Sequence, residues 1–137
     1  MISTIHARTL RDIGLEWHPV SGDAFRLDRE EFDSEVFTVS DMTVEAHVFD
    51  SGTILGFNGT TEWALDSVAI EDSLWLPRED QLRQLLGGGF RALVKLDGEA
   101  GYRVDIVLQL ARLSFTAAEP ADAYAAAVET LLRSALE

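Results

Sequence analysis

The stretch Thr43-Val44-Glu45-Ala46-His47-Val48-Phe49, followed by Asp50-Ser51-Gly52 and then Thr53-Ile54-Leu55-Gly56-Phe57, decides the fold class. Val44, Ala46 and Val48 alternate with Glu45, His47 and Phe49, the two-residue period of a strand with one face turned inward. A glycine-containing break of hairpin length separates this run from a second β-branched run, so the segment predicts an antiparallel hairpin.

Working outward, Ala24-Phe25-Arg26-Leu27 and Val36-Phe37-Thr38-Val39 read as two further short strands, joined by the acidic loop Asp28 to Glu35. Asn58-Gly59 marks another turn, and the apolar segment Trp63 to Trp75 fits both the strand and the helix period. A second hairpin is predicted from Phe90–Leu96 and Tyr102–Phe115 around the five-residue loop Asp97-Gly98-Glu99-Ala100-Gly101.

Three segments carry the helical period instead. Ile2, Ile5, His6, Thr9, Leu10 and Ile13 recur on one face, with Ser3 or Thr4 to cap the start and Gly14 to end it. Pro77 and the acids Glu79 and Asp80 have the composition of a first turn, Leu82, Leu85 and Leu86 supply a buried stripe, and Gly87-Gly88-Gly89 stops the helix. After Pro120, a sustained apolar face is formed by Ala121, Tyr124, Ala125, Val128, Leu131, Leu132 and Ala135. The expectation is one α+β domain over residues 1–137, with a mainly antiparallel sheet of about five to six strands and N-terminal, middle and C-terminal helices.

Composition bounds the function. The 137 residues are 47% hydrophobic and 26% charged, as in an ordinary soluble domain able to bury a core without staples. The absence of cysteine removes disulfide scaffolds, zinc ribbons and thiol nucleophiles, and makes a cytoplasmic location the expectation. No apolar run approaches a membrane span, and Met1-Ile2-Ser3-Thr4-Ile5-His6 lacks the layout of a signal peptide. Eleven Lys+Arg against 24 Asp+Glu give a net charge of −13, a field that repels nucleic acids and anionic membranes. The acid is uneven: residues 1–76 hold 4 basic and 15 acidic side chains, a net of −11, whereas residues 77–137 hold 7 and 9, a net of −2.

Catalytic signatures are missing. No phosphate-cradling G-x-x-x-x-G-K-[ST] loop occurs, and the glycine triplet follows a helix, so no amide-rich N-terminus is aimed at it. His6, His18 and His47 share no zinc spacing, and the run Asp28, Glu30, Glu31, Asp33 and Glu35 lacks the glycine and terminal glutamate of a calcium loop. No metal or cofactor is expected. Asn58-Gly59-Thr60 matches a glycosylation sequon, but without an export signal it carries no weight.

Two candidate sites remain. The acidic patch of Asp28, Glu30, Glu31, Asp33 and Glu35 suits encounter with a protein partner. The other gathers Glu45 and His47, two residues apart on one strand face, with Asn58, Thr60, Glu62 and Trp63 around the turn, as a pocket for a small ligand or a weak hydrolase. A non-catalytic interaction or accessory domain is the first expectation and the pocket the alternative.

The blocks Trp17-His18-Pro19 with Ser21-Gly22-Asp23, Phe57 to Ser67 and Leu74 to Leu82 resemble a family of short actinobacterial proteins, some of which carry a pilus-assembly label of the CpaE type. The resemblance spans most of the chain. The shorter Trp75-Leu76-Pro77 and Asp80-Gln81-Leu82 pattern is also similar to small phage proteins. Neither resemblance implies a catalytic residue.

Overall fold

Secondary structure follows from these periods, and a computed structural model describes it for residues 1–28, 35–39, 44–49, 52–57, 67–69 and 72–136. The chain divides into two compact units, one made of residues 1–16 and 77–137, the other of residues 17–76. The described residues form three helices and nine strands in three antiparallel sheets, an α+β chain. None of the described helices is long and apolar enough to cross a membrane.

The first unit is built around its C-terminal helix. Helix α1 (Thr4–Asp12) starts at Ser3, whose Oγ accepts from the His6 N–H, and ends before Gly14 at φ +112°. Ser3 N–H also donates to Asp122 Oδ1 at 2.7 Å, tying the start of α1 to the first turn of α3 (Pro120–Ala135). The expected buried stripe of α1 needs correction, because Ile5 is 75% exposed while Ala7 and Leu10 are buried. Residues two apart lie about 200° apart around a helix, so a contact line through Ala7 leaves Ile5 outside.

Helix α2 (Glu79–Leu86) begins where Arg78 N–H donates to Gln81 Oε1 at 2.9 Å, with Glu79 and Asp80 in its first turn. It buries Leu82 and Leu86. Leu85 is 38% exposed, contrary to expectation, because the i, i+4 line of Leu82 and Leu86 carries the packing and Leu85 flanks it. A 3-10 turn over Gly87–Gly89 then leads into the sheet.

That sheet runs β7 (Phe90–Lys95), β8 (Tyr102–Leu108), β9 (Ala111–Ala117). Gly101, at φ +87°, is required, since a methyl group there would overlap the carbonyl oxygen of Ala117. The run Tyr102–Phe115 is two strands rather than one, folded by a two-residue turn at Gln109 and Leu110, both at positive φ. Neither residue is a customary turn former, so the sequence hides the reversal. Helix α3 packs on α1, α2, β8 and β9. Its first half, from Ala121 through Val128, is buried on most sides, and small alanines permit that close approach. Leu131 and Leu132 are half-buried and Ala135 is exposed, so the apolar face fades toward the C-terminus.

In the second unit, β1 (Ala24–Leu27) lies between β2 (Phe37–Thr38) and β6 (Ser73–Leu76). The strands β3 (Val44–Phe49), β4 (Gly52–Phe57) and β5 (Ser67–Ala69) form another sheet in that order. The deciding hairpin is therefore present. Its break is shorter than expected, because Gly52 already pairs with Phe49. The ambiguous segment Trp63–Trp75 contributes β5 and most of β6, which with the divided Tyr102–Phe115 run brings the strand number to nine.

Candidate functional site

The described site with the richest side-chain chemistry lies where the loop before β1 folds over the β2-β1-β6 sheet. Strand alternation puts Phe25 and Leu27 on one face of β1, and Phe25 pairs directly with Phe37 on β2 and Trp75 on β6. Trp17, from the loop, completes an aromatic set. Its ring centre lies 5.4 Å from Phe25 and 6.4 Å from Trp75, nearly parallel to the latter at 8°, and Phe25 lies 5.6 Å from Phe37. Phe25 is wholly buried, whereas Trp17, Phe37 and Trp75 are only half-buried and present ring surface.

Asp23 holds this loop. It is 1% exposed, and its Oδ2 accepts from the Trp17 indole N–H at 3.0 Å and the Val20 N–H at 3.1 Å. Its own N–H donates to the Val20 carbonyl, while its carbonyl accepts from the Val39 N–H at 2.8 Å. A buried carboxylate survives only when its lone pairs are engaged, and here they fix the orientation of Trp17. Two neighbouring polar groups are less well served: Ser73 Oγ and Trp75 Nε1, both on β6, are buried with no hydrogen-bond partner among the described residues.

The predicted site residues are distributed as follows. Glu45 and His47 lie on β3, in register with Gly56 and Ile54 of β4. Asn58, Thr60, Glu62 and Trp63, and with them most of the pocket expected near Glu45, His47 and Glu62, lie outside the described residues. Of the acidic patch, Asp28 follows β1, where its N–H donates to the Asp72 carbonyl at 2.7 Å, and Glu35 is exposed ahead of β2. Glu30, Glu31 and Asp33 are outside the described residues.

Trp17, Asp23 and Trp75 entered the sequence reading within the blocks that carry the resemblance, and none of Trp17, Asp23, Ser73 and Trp75 was read as a site residue. The only signal was an aspartate in a Gly-containing turn six residues after a tryptophan, which reads equally well as a plain surface turn.

In the other unit, Asp105 on β8 is the best-engaged acid. Arg103 donates from Nε to Oδ1 at 2.8 Å and from Nη2 to Oδ2 at 3.2 Å, and Ser114 Oγ donates to Oδ1 at 2.8 Å. The Arg103 hydrogen bonds first, then that of Ser114, with the Arg112 charge nearby, hold its carboxyl below the ordinary carboxylate range. A carboxylate so occupied is a poor base and an unavailable ligand. Arg78 likewise lowers the Asp80 carboxyl at the start of α2. Among the described residues no group of three or more His, Asp or Glu side chains is placed to hold a metal ion.

No protein-family model matches the chain, and neither the curated proteins nor the solved structures contain a significant match to it.

Proposed function

We propose that the protein is a non-catalytic interaction module whose acidic unit, residues 17–76, receives a basic, partly apolar segment of another protein in the cytoplasm. One observation carries this reading: half-buried aromatic rings on the β2-β1-β6 sheet stand in a unit holding two basic and 13 acidic side chains. The unit's net charge of −11 draws a cationic partner over long range, and exposed indole surface favours guanidinium and ammonium groups at contact. The hydrogen bonds of Asp23 hold Trp17 in place before binding, which lowers the ordering cost of association. The absence of cysteine supports the cytoplasmic setting.

The test separates attraction from contact. Replacing Glu30, Glu31 and Asp33 by Gln, Gln and Asn removes three charges with little change of shape, so association with a recovered partner slows while dissociation hardly changes. An unchanged association rate at low ionic strength refutes the acidic-patch component.

A further inference from the structure

Among the described residues, the surface with the clearest unused binding capacity is the β9 edge of the β7-β8-β9 sheet, on the unit that the proposed function does not use. Strand β9 is seven residues long, and among the described strands it pairs with β8 alone. The opposite edge, β7, is blunted by an irregular register between Phe90 and Ala92 and carries Arg91 and Lys95. By contrast, β9 contains no proline, no register break and one charged residue, Arg112. Such an edge is an open template for another strand.

We propose that the occupant is a second copy of this chain, joined by antiparallel β9–β9 pairing centred on Ser114. The hairpin geometry fixes which backbone groups are available. A two-residue turn closes on a hydrogen-bonded pair, Leu108 with Ala111, so Leu113, Phe115 and Ala117 also point their backbone groups toward β8. Arg112, Ser114 and Thr116 therefore direct theirs to the open edge, and their side chains are exposed.

A two-fold axis through Ser114 sets Arg112 of each copy opposite Thr116 of the other and Leu113 opposite Phe115, with no like charges opposed. At the end of this register the turn residue Leu110 stands next to the seam. That leucine is 99% exposed, and both turn residues are held at positive φ. A fully exposed leucine at a left-handed turn position is costly without a purpose, and the seam gives it apolar cover. The unit bearing β9 has nine basic and 11 acidic side chains, close to balance, so its own residues add little repulsion between two copies.

The experiment is sedimentation equilibrium from low to high micromolar concentration on the wild type and two variants at exposed Thr116. The wild type is expected to approach twice the 15.1 kDa chain mass. Thr116→Lys opposes Arg112 with a like charge twice per dimer, so the dissociation constant rises roughly tenfold. Thr116→Glu creates the opposite pairing, and the constant falls severalfold. Because Thr116 also pairs with Arg103 inside its own sheet, the urea midpoint of each variant is measured beside its dissociation constant, and adding Arg112→Glu to Thr116→Lys must restore dimerisation without restoring the midpoint. A wild type that stays monomeric throughout, or two variants that shift the constant in the same direction or leave it unchanged, overturns the proposal.

Discussion

Replacing Asp23 tests how the aromatic site is held. Its Oδ2 is the acceptor for both Trp17 Nε1–H and Val20 N–H, at 3.0 and 3.1 Å, and the residue is 1% exposed. Asp23→Ala strands two donors, each costing about 1 to 3 kcal/mol if kept from water. Val20 is exposed and Trp17 half-buried, so both freed groups regain part of their hydration, and the expected loss is about 2 to 3 kcal/mol. Asp23→Asn keeps an oxygen able to take the place of Oδ2, so its expected loss is smaller, about 1 kcal/mol. All three tryptophans, Trp17, Trp63 and Trp75, fall within residues 17–76, so tryptophan emission during urea unfolding reports this unit selectively. With a slope of about 1 kcal/mol per molar, the midpoint falls by about 2 to 3 M for alanine and about 1 M for asparagine. An alanine variant within about 0.5 kcal/mol of wild type, or an asparagine variant as damaging as alanine, refutes the role given to this carboxylate.

Further predictions concern the helical unit. Val128→Ala, at a wholly buried position on α3, is expected to cost about 2 kcal/mol by lost transfer energy and a cavity, whereas Leu85→Ala at a 38% exposed position costs under about 1 kcal/mol. Helical circular dichroism during denaturation distinguishes them, because all three described helices belong to this unit. The Asp105 carboxyl is expected to titrate below the ordinary value of 3.8 in a carbon-detected pH series, moving back toward it in Arg103→Gln. A folded pKa below the unfolded one means its stabilisation is complete above the ordinary carboxylate range and is lost as pH falls through the depressed value. Treatment with a chelator is expected to leave the melting temperature unchanged, and a drop of several degrees would reveal a bound metal.

The hairpin of β3 and β4 was legible because a two-residue period is imposed by backbone geometry and survives any tertiary context. Helix limits at Ser3, Gly14 and Pro120 were legible because caps and breakers act locally, whereas Pro77, read as part of a first turn, precedes the cap residue Arg78 and lies outside α2. The turn at Gln109 and Leu110 was not, since its left-handed residues lack the glycine or asparagine that would announce it, and neighbouring strands impose the conformation. Exposure of Ile5 and Leu85 was hidden for a different reason. Periodicity gives a stripe, but the neighbouring helix chooses which edge of that stripe it covers. The hydrogen bonds of Asp23 to Trp17 and Val20 are local, but the aromatic set beside them is brought together by the pairing of β1 with β2 and β6, a juxtaposition that no local pattern encodes. Charge asymmetry, in contrast, could be counted from the sequence and coincides with one compact unit.

The most direct test of the account is a titration of the protein with a short tryptophan-free peptide of arginine and aliphatic residues, beside its glutamate counterpart, read by tryptophan emission and backbone amide shifts. The account predicts that the basic peptide changes the emission, moves amides of residues 17–76, and loses affinity steeply as salt screens the −11 unit, while the acidic peptide does nothing. Equal responses to both peptides, or amide shifts confined to residues 77–137, would contradict it.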